Sequence, residues 1–231
     1  MFWRNAPNMV QKRVSDRKRP AAPAGILGFR AYANMPTLLN RMYKRGYEGL
    51  NYRLRSLAGG RFAGLCRPVS ISFLMTERCN ARCVHCDIWK NRGKEDRATA
   101  EVWRVVLADL RNWLGPVHVL FTGGEALLNP DTIGLVSHAV PLGLHVEVLT
   151  NAYWPDQSRI EALARARPWR ITVSLDGVGP EHSFVRGRED FYERTSTSLQ
   201  TLLRLKREEG LGYGIRLKTV LMQHNLEAVA G

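Results

Sequence analysis

The sequence predicts an α/β fold: a parallel sheet joined by crossover helices. Two observations carry this. From residue 69 onward, apolar strand-like runs alternate with amphipathic helical patterns. The strand-like runs are short and nearly all apolar, as expected when helices cover both faces of a sheet. Five such strands are visible. Periodicity alone leaves open whether the sheet is doubly wound or curls towards a barrel.

The strands are expected over 69–75, 117–121, 144–149, 170–175 and 215–221. The helices between them are expected over 99–114, 131–140, 156–167 and 191–209. Thr99 is placed to cap the first, with Val102, Val105, Val106, Leu110 and Trp113 on one face. Pro141 and Gly143 end the second, and Gly210 closes the last. Asn225 resembles an N-cap for a helix that begins at 226 and stops with the chain.

The domain division is expected at residue 67, between an N-terminal extension (1–67) and the α/β region (68–231). The 231 residues suffice for one substantial core. Of 34 Lys/Arg, 14 fall in residues 1–67 against 2 of the 21 Asp/Glu, so nearly all of the net charge of +13 belongs to that extension. Residues 1–35 read as a mobile, charge-rich arm broken by Pro20, Pro23 and Gly25. A basic amphipathic helix follows, with Leu38, Leu39, Met42, Tyr43, Tyr47, Leu50, Leu54 and Leu57 at spacings of three and four. Such a segment packs on the main domain or contacts an anionic surface, whether nucleic acid, lipid or an acidic partner. No run approaches the roughly 18–20 apolar residues of a transmembrane helix. The polar, basic start lacks the apolar stretch of a secretory signal.

The cysteines carry the chemistry. Cys79, Cys83 and Cys86 lie within eight residues as C-x3-C-x2-C, in the loop after the first strand, and Cys66 stands apart. This crowding suits metal ligation better than disulfides, and with the missing signal it points to a reducing, cytoplasmic setting. Thiolates suit zinc or iron–sulfur clusters. Three thiolates on a four-iron cube leave one iron open to a small molecule. For zinc, His85 could be the fourth ligand, but neighbours such as His85 and Cys86 rarely converge on one tetrahedral ion. A non-enzymatic iron–sulfur or zinc module with a partner-binding basic arm is the alternative reading.

The cysteine motif resembles that of the radical S-adenosylmethionine superfamily, in the branch of peptide maturases and cofactor-synthesis oxidoreductases. Further segments resemble the family's motifs in the same order. Gly123-Gly124-Glu125 follows the second strand, Thr150-Asn151-Ala152 ends the third with alanine where the family has glycine, and Ser174-Leu175-Asp176-Gly177 ends the fourth, with Arg186-Gly187 beyond it.

The resemblance implies a six-strand partial (β/α)6 TIM-like barrel. Since five βα strands are visible, it also implies a chain incomplete at its C-terminus. It implies a [4Fe–4S] cluster on Cys79, Cys83 and Cys86, with no protein residue catalytic beyond the cluster and cofactor ligands. S-adenosylmethionine would then meet Gly123, Gly124 and Glu125 at its amino end. Thr150, Asn151, Ser174 and Asp176 would line the cofactor, Arg186 would pair with a carboxylate, and His85 would contact the adenine. An external one-electron reductant of flavodoxin or ferredoxin type is implied, as is reductive cleavage of the cofactor and hydrogen abstraction from a substrate, a peptide or a cofactor precursor.

Overall fold

A computed structural model describes residues 37–57, 66–91 and 98–227. The expected arm over 1–35 lies outside them. The elements are α1 (Thr37–Ser56), β1 (Ser70–Leu74), α2 (Ala100–Leu114), β2 (His118–Thr122), α3 (Thr132–Ala139), β3 (His145–Thr150), α4 (Ser158–Arg165), β4 (Arg170–Ser174), α5 (Pro180–Arg186), α6 (Phe191–Glu208) and β5 (Gly214–Lys218).

The five strands form one parallel sheet in the order β1-β2-β3-β4-β5. The order follows the chain without reversal, so the sheet lacks the switch point of a doubly wound fold and winds as a barrel does. It is not closed: β1 and β5 end it. The register pairs Glu147 with Arg170 and Leu149 with Thr172 across β3–β4, and Thr172 with Arg216 and Ser174 with Lys218 across β4–β5.

That register separates two faces. Val146, Val148, Ile171 and Val173 share one face and are fully buried. The covering helices contribute Leu135, Val136 and Ala139 from α3, Ile160, Leu163 and Ala164 from α4, and Leu202 and Leu205 from α6. The other face carries Glu147, Arg170, Thr172, Ser174, Arg216 and Lys218. Here Glu147, 1% exposed, accepts from Arg170 Nη2 (2.5 Å), Thr172 Oγ1 (2.6 Å) and Arg216 Nη2 (2.5 Å).

Two compact units divide the described chain. One holds residues within Met1–Ile71, Arg97–His118 and Leu142–Leu144; the other holds those within Ser72–Asp96, Val119–Pro141 and His145–Gly231. In the first, Thr99 caps α2 as expected, its hydroxyl accepting the Val102 N–H. The helix α1 forms where the apolar spacing places it. Asn51 Nδ2 donates to Arg67 O (2.8 Å), while Met42, Leu50, Tyr52 and Leu57 are exposed. Among the described residues, no helix is long and apolar enough to cross a membrane.

In the second unit, three local features differ from expectation. The helix α5 falls where none was expected, with Pro180 at its start and Gly187 in the left-handed conformation at its end. The strand β5 stops at Lys218 rather than 221. Beyond it Thr219 Oγ1 donates to Leu175 O (2.7 Å) and Val220 N to Asp176 Oδ1 (2.9 Å), turning the chain back over the end of β4. Asn225 precedes a helical turn, but its fully buried amide works elsewhere. It donates to Asp176 O (2.7 Å) and Val220 O (2.8 Å) and accepts from Met222 N (2.7 Å).

Candidate functional site

The cysteine loop leaves β1 and is held from three sides, all within the second unit. The first is the turn after β2. Met75 N donates to Thr122 O, Gly124 N to Thr76 O and Glu125 N to Arg78 O, each at 2.8 Å. Two chains can run this close only without a side chain. A Cβ at Gly124 would overlap the Arg78 carbonyl, and one at Gly123 (φ +149°) the Thr76 carbonyl.

The second side is α5. Arg82 N donates to Arg186 O and Val84 N to Val185 O, both at 3.0 Å, so the backbone is pinned on either side of Cys83. Gly187 (φ +75°) lets α5 end against the loop, where a Cβ would stand 2.5 Å from Arg82 O.

The third side is the segment after β3. Asn151 Nδ2 donates to Asn80 Oδ1 (2.7 Å) and lies 3.9 Å from Cys79 Sγ. Asn80 Nδ2 in turn donates to Tyr153 O (3.0 Å). Ala152 adopts φ +57°, the left-handed region that glycine takes without strain, and Ser198 Oγ holds its carbonyl at 2.8 Å.

Behind this segment lies Glu125, 1% exposed. Its carboxylate accepts from Leu127 N (3.1 Å), Thr150 Oγ1 (2.8 Å) and Asn151 N (2.7 Å), tying the end of β3 to the turn after β2. Burial raises its pKa, and those three hydrogen bonds oppose the shift. Thr150, also buried, uses its hydroxyl a second time as acceptor for Ala152 N (3.0 Å).

Cys83 is buried with Ala81 and Phe191; Cys79, Cys86 and Tyr153 pack partly buried around them. Burial pushes the Cys79 thiol up to about 11, with the Glu125 carboxylate and the two neighbouring sulfurs adding and a backbone hydrogen bond from Ala81 opposing. Burial also raises Cys83, against the Arg186 cation. A coordinated metal reverses this, because it deprotonates the thiol outright. Among the described residues, no three Cys, His, Asp or Glu side chains converge on a single-ion site. A four-iron cube does not need such convergence, since its three protein thiolates bind three different irons. Three free thiols on one clamped loop, with nitrogen donors beside two of the sulfurs, fit that group.

The structure thus brings Cys79, Cys83, Cys86, Gly123, Gly124, Glu125, Thr150, Asn151, Asp176 and Arg186 into one hydrogen-bonded assembly. Ser174 ends β4 on the polar sheet face, beside Lys218 in register. His85 is exposed on the loop, and such burial as its ring has lowers its pKa. Arg186 pairs with a carboxylate of the protein itself, that of Asp176 at 2.6 Å. Sequence reasoning missed His182, Asn80 and Tyr153, and gave Asn225 only a helix-capping role. Only the Pro180 and Gly187 punctuation signalled the helix that carries His182.

The radical SAM superfamily model matches residues 73–216, more than half of the chain. The chain belongs to the radical SAM superfamily. It is 29% identical over 151 residues to an Fe-coproporphyrin III synthase from Methanosarcina barkeri, covering 65% of this chain and 36% of that protein. It is 32% identical over 112 residues to a PqqA peptide cyclase from Rhodopseudomonas palustris, covering 48% of this chain and 29% of that protein. The chain therefore spans about a third of the length of these curated relatives. Among solved structures, Streptococcus suis SuiB bound to S-adenosylmethionine superposes with a TM-score of 0.58 at 21% identity, over 71% of this chain and 36% of SuiB. The anSMEcpe complex with AdoMet and the Cp18Cys peptide superposes at 0.57 with 17% identity, over 71% of this chain and 46% of that one. At these identities the likeness shows a shared fold.

Proposed function

We propose that this chain is the core of a radical SAM enzyme that holds a [4Fe–4S] cluster through Cys79, Cys83 and Cys86 and uses it on S-adenosylmethionine. Such a cluster would supply the one electron that breaks the S–C5′ bond of S-adenosylmethionine, giving methionine and a 5′-deoxyadenosyl radical able to take hydrogen from a substrate. The electron comes from an external one-electron reductant of flavodoxin or ferredoxin type.

The observation that carries this reading is the clamp on the cysteine loop. Backbone bonds at Thr76, Arg78, Arg82 and Val84 hold the main chain on which the three cysteines sit. Gly123, Gly124 and Glu125, which lie against Thr76 and Arg78 of the cysteine loop, would meet the amino end of S-adenosylmethionine. Asn151 reaches the sulfur of Cys79, and Ser174 offers a hydroxyl with no hydrogen-bond partner among the described residues to the ribose or carboxylate. His85, exposed on the loop, is free to meet the adenine. The substrate is a peptide or a cofactor precursor, as the names of the similar proteins suggest. The basic extension over 1–67 contacts an anionic surface, and the four free cysteines suit a reducing cytoplasm.

Anaerobic reconstitution of the full chain tests the proposal. Four irons per chain, with methionine and 5′-deoxyadenosine released on reduction with S-adenosylmethionine, are expected, and Cys83→Ala abolishes both. One zinc per chain without cofactor cleavage overturns it.

A further inference from the structure

Arg186 has two partners, and both lie inside the protein. The residue is 7% exposed and Asp176 is fully buried. Its Nη2 stands 2.6 Å from Asp176 Oδ2 and its Nη1 donates to Cys83 Sγ at 3.5 Å, while Nε has no hydrogen-bond partner among the described residues. The guanidinium is therefore held by one carboxylate and one cysteine.

Asp176 is itself held, through one carboxylate oxygen and through its backbone. Asp176 Oδ1 accepts Val220 N (2.9 Å), its backbone N–H donates to His182 Nδ1 (3.0 Å), and its carbonyl accepts Asn225 Nδ2 (2.7 Å). The arginine backbone is fixed as well, since Arg186 O accepts Arg82 N next to Cys83. A cation braced this firmly does not swing out to meet a ligand; it stays beside the sulfur.

We propose that Arg186 is a positioning residue for the cluster: braced by Asp176, its guanidinium donates to the Cys83 sulfur and sets the cluster's reduction potential. This rests on the function proposed above. Reduction adds one negative charge to the cluster. A buried cation next to a ligating sulfur attracts that charge more strongly than the same cation would in water, because the local dielectric is low. Removing the cation makes reduction harder. Removing the Asp176 charge leaves the cation less compensated and makes reduction easier. Opposite shifts from the two partners of one ion pair are the signature of an electrostatic role, and a purely structural pair would not produce them.

The test uses the full chain, reconstituted anaerobically, as wild type, R186M, R186K and D176N. Iron per chain, affinity for S-adenosylmethionine and the midpoint potential from a mediated titration followed by EPR are measured together. In R186M the ratio of reduced to oxidised cluster at a fixed potential is expected to fall at least tenfold, about 59 mV for a one-electron couple. R186K should stay within tenfold of wild type, and D176N should shift upward. An R186M protein with full iron and an unchanged potential overturns the proposal. If that protein also loses affinity for S-adenosylmethionine, Arg186 is a cofactor ligand instead. Should R186M take up no iron, D176N decides: an unchanged or lowered potential overturns the proposal. Failure of the wild type to take up four irons counts against the proposed function instead.

Discussion

Replacing His182 by glutamine probes the interior of α5. The imidazole is fully buried and stands edge-on to Phe191 at 5.5 Å. Its Nδ1 accepts the backbone N–H of Asp176, which requires that nitrogen to carry no proton. Burial, with the Arg186 cation adding and Asp176 opposing, lowers the pKa from 6.5 to about 4. The folded state therefore binds the proton more weakly than the unfolded chain. The stability this contributes is complete above the unfolded value of 6.5 and is lost as pH falls through 6.5 to about 4. The full shift is worth roughly 3 kcal/mol. Glutamine keeps an acceptor oxygen for Asp176 N and does not titrate. Urea denaturation of both proteins at about pH 7 and about pH 4.5 should show the wild type losing about 2–3 kcal/mol more than H182Q between the two conditions. Equal losses would refute the reasoning, because they would mean that His182 is either solvated or already charged in the fold.

Two further substitutions read the sheet and the clamp. Glu147→Ala strands Arg170 and Arg216 on the polar sheet face. It should destabilise the protein by about 3 kcal/mol in denaturant melts, at the lower end for a broken buried pair because both cations are partly exposed. Gly124→Ala pushes a methyl into the Arg78 carbonyl. It should cost about 1–3 kcal/mol and lower iron uptake on reconstitution, whereas Gly134→Ala in α3, with open space around it, should leave iron uptake unchanged.

The strand–helix alternation was readable because buried parallel strands and their covering helices leave opposite periodicities, as at Val146/Val148 against Ile160/Leu163/Ala164. The helix α5 escaped because seven residues make about two turns, too few for an apolar stripe to repeat. What marked it were its ends, Pro180 and Gly187. The end of β5 misled for a different reason. Val220 and Leu221 read as a continuing apolar strand, yet they are 36% and 62% exposed. Hydrogen bonds from Thr219 and Val220 to the β4 loop outweigh the little burial that these two apolar side chains gain.

At the site, the residue types and their order along the chain were readable, but their division of labour was not. The family resemblance assigns Glu125, Thr150 and Asp176 to the cofactor, each at or just beyond the end of a strand. The fold turns them on one another first: Thr150 and Asn151 hold Glu125, and Asp176 holds Arg186. Partner choice depends on which strand ends the sheet order makes neighbours, and nothing local in the sequence encodes that. The physical need is nonetheless visible in hindsight. The cysteine loop has little regular structure of its own, so three sulfurs can hold a fixed spacing only if neighbouring segments supply the order. Each motif that resembles the family's cradle supplies one wall of it: the glycines against Thr76 and Arg78, Asn151 against Asn80, and Arg186-Gly187 against Arg82. The residues of these motifs therefore first fix the backbone of the loop on which the proposed cluster would sit. A substitution such as Gly124→Ala should accordingly lose cluster and cofactor together.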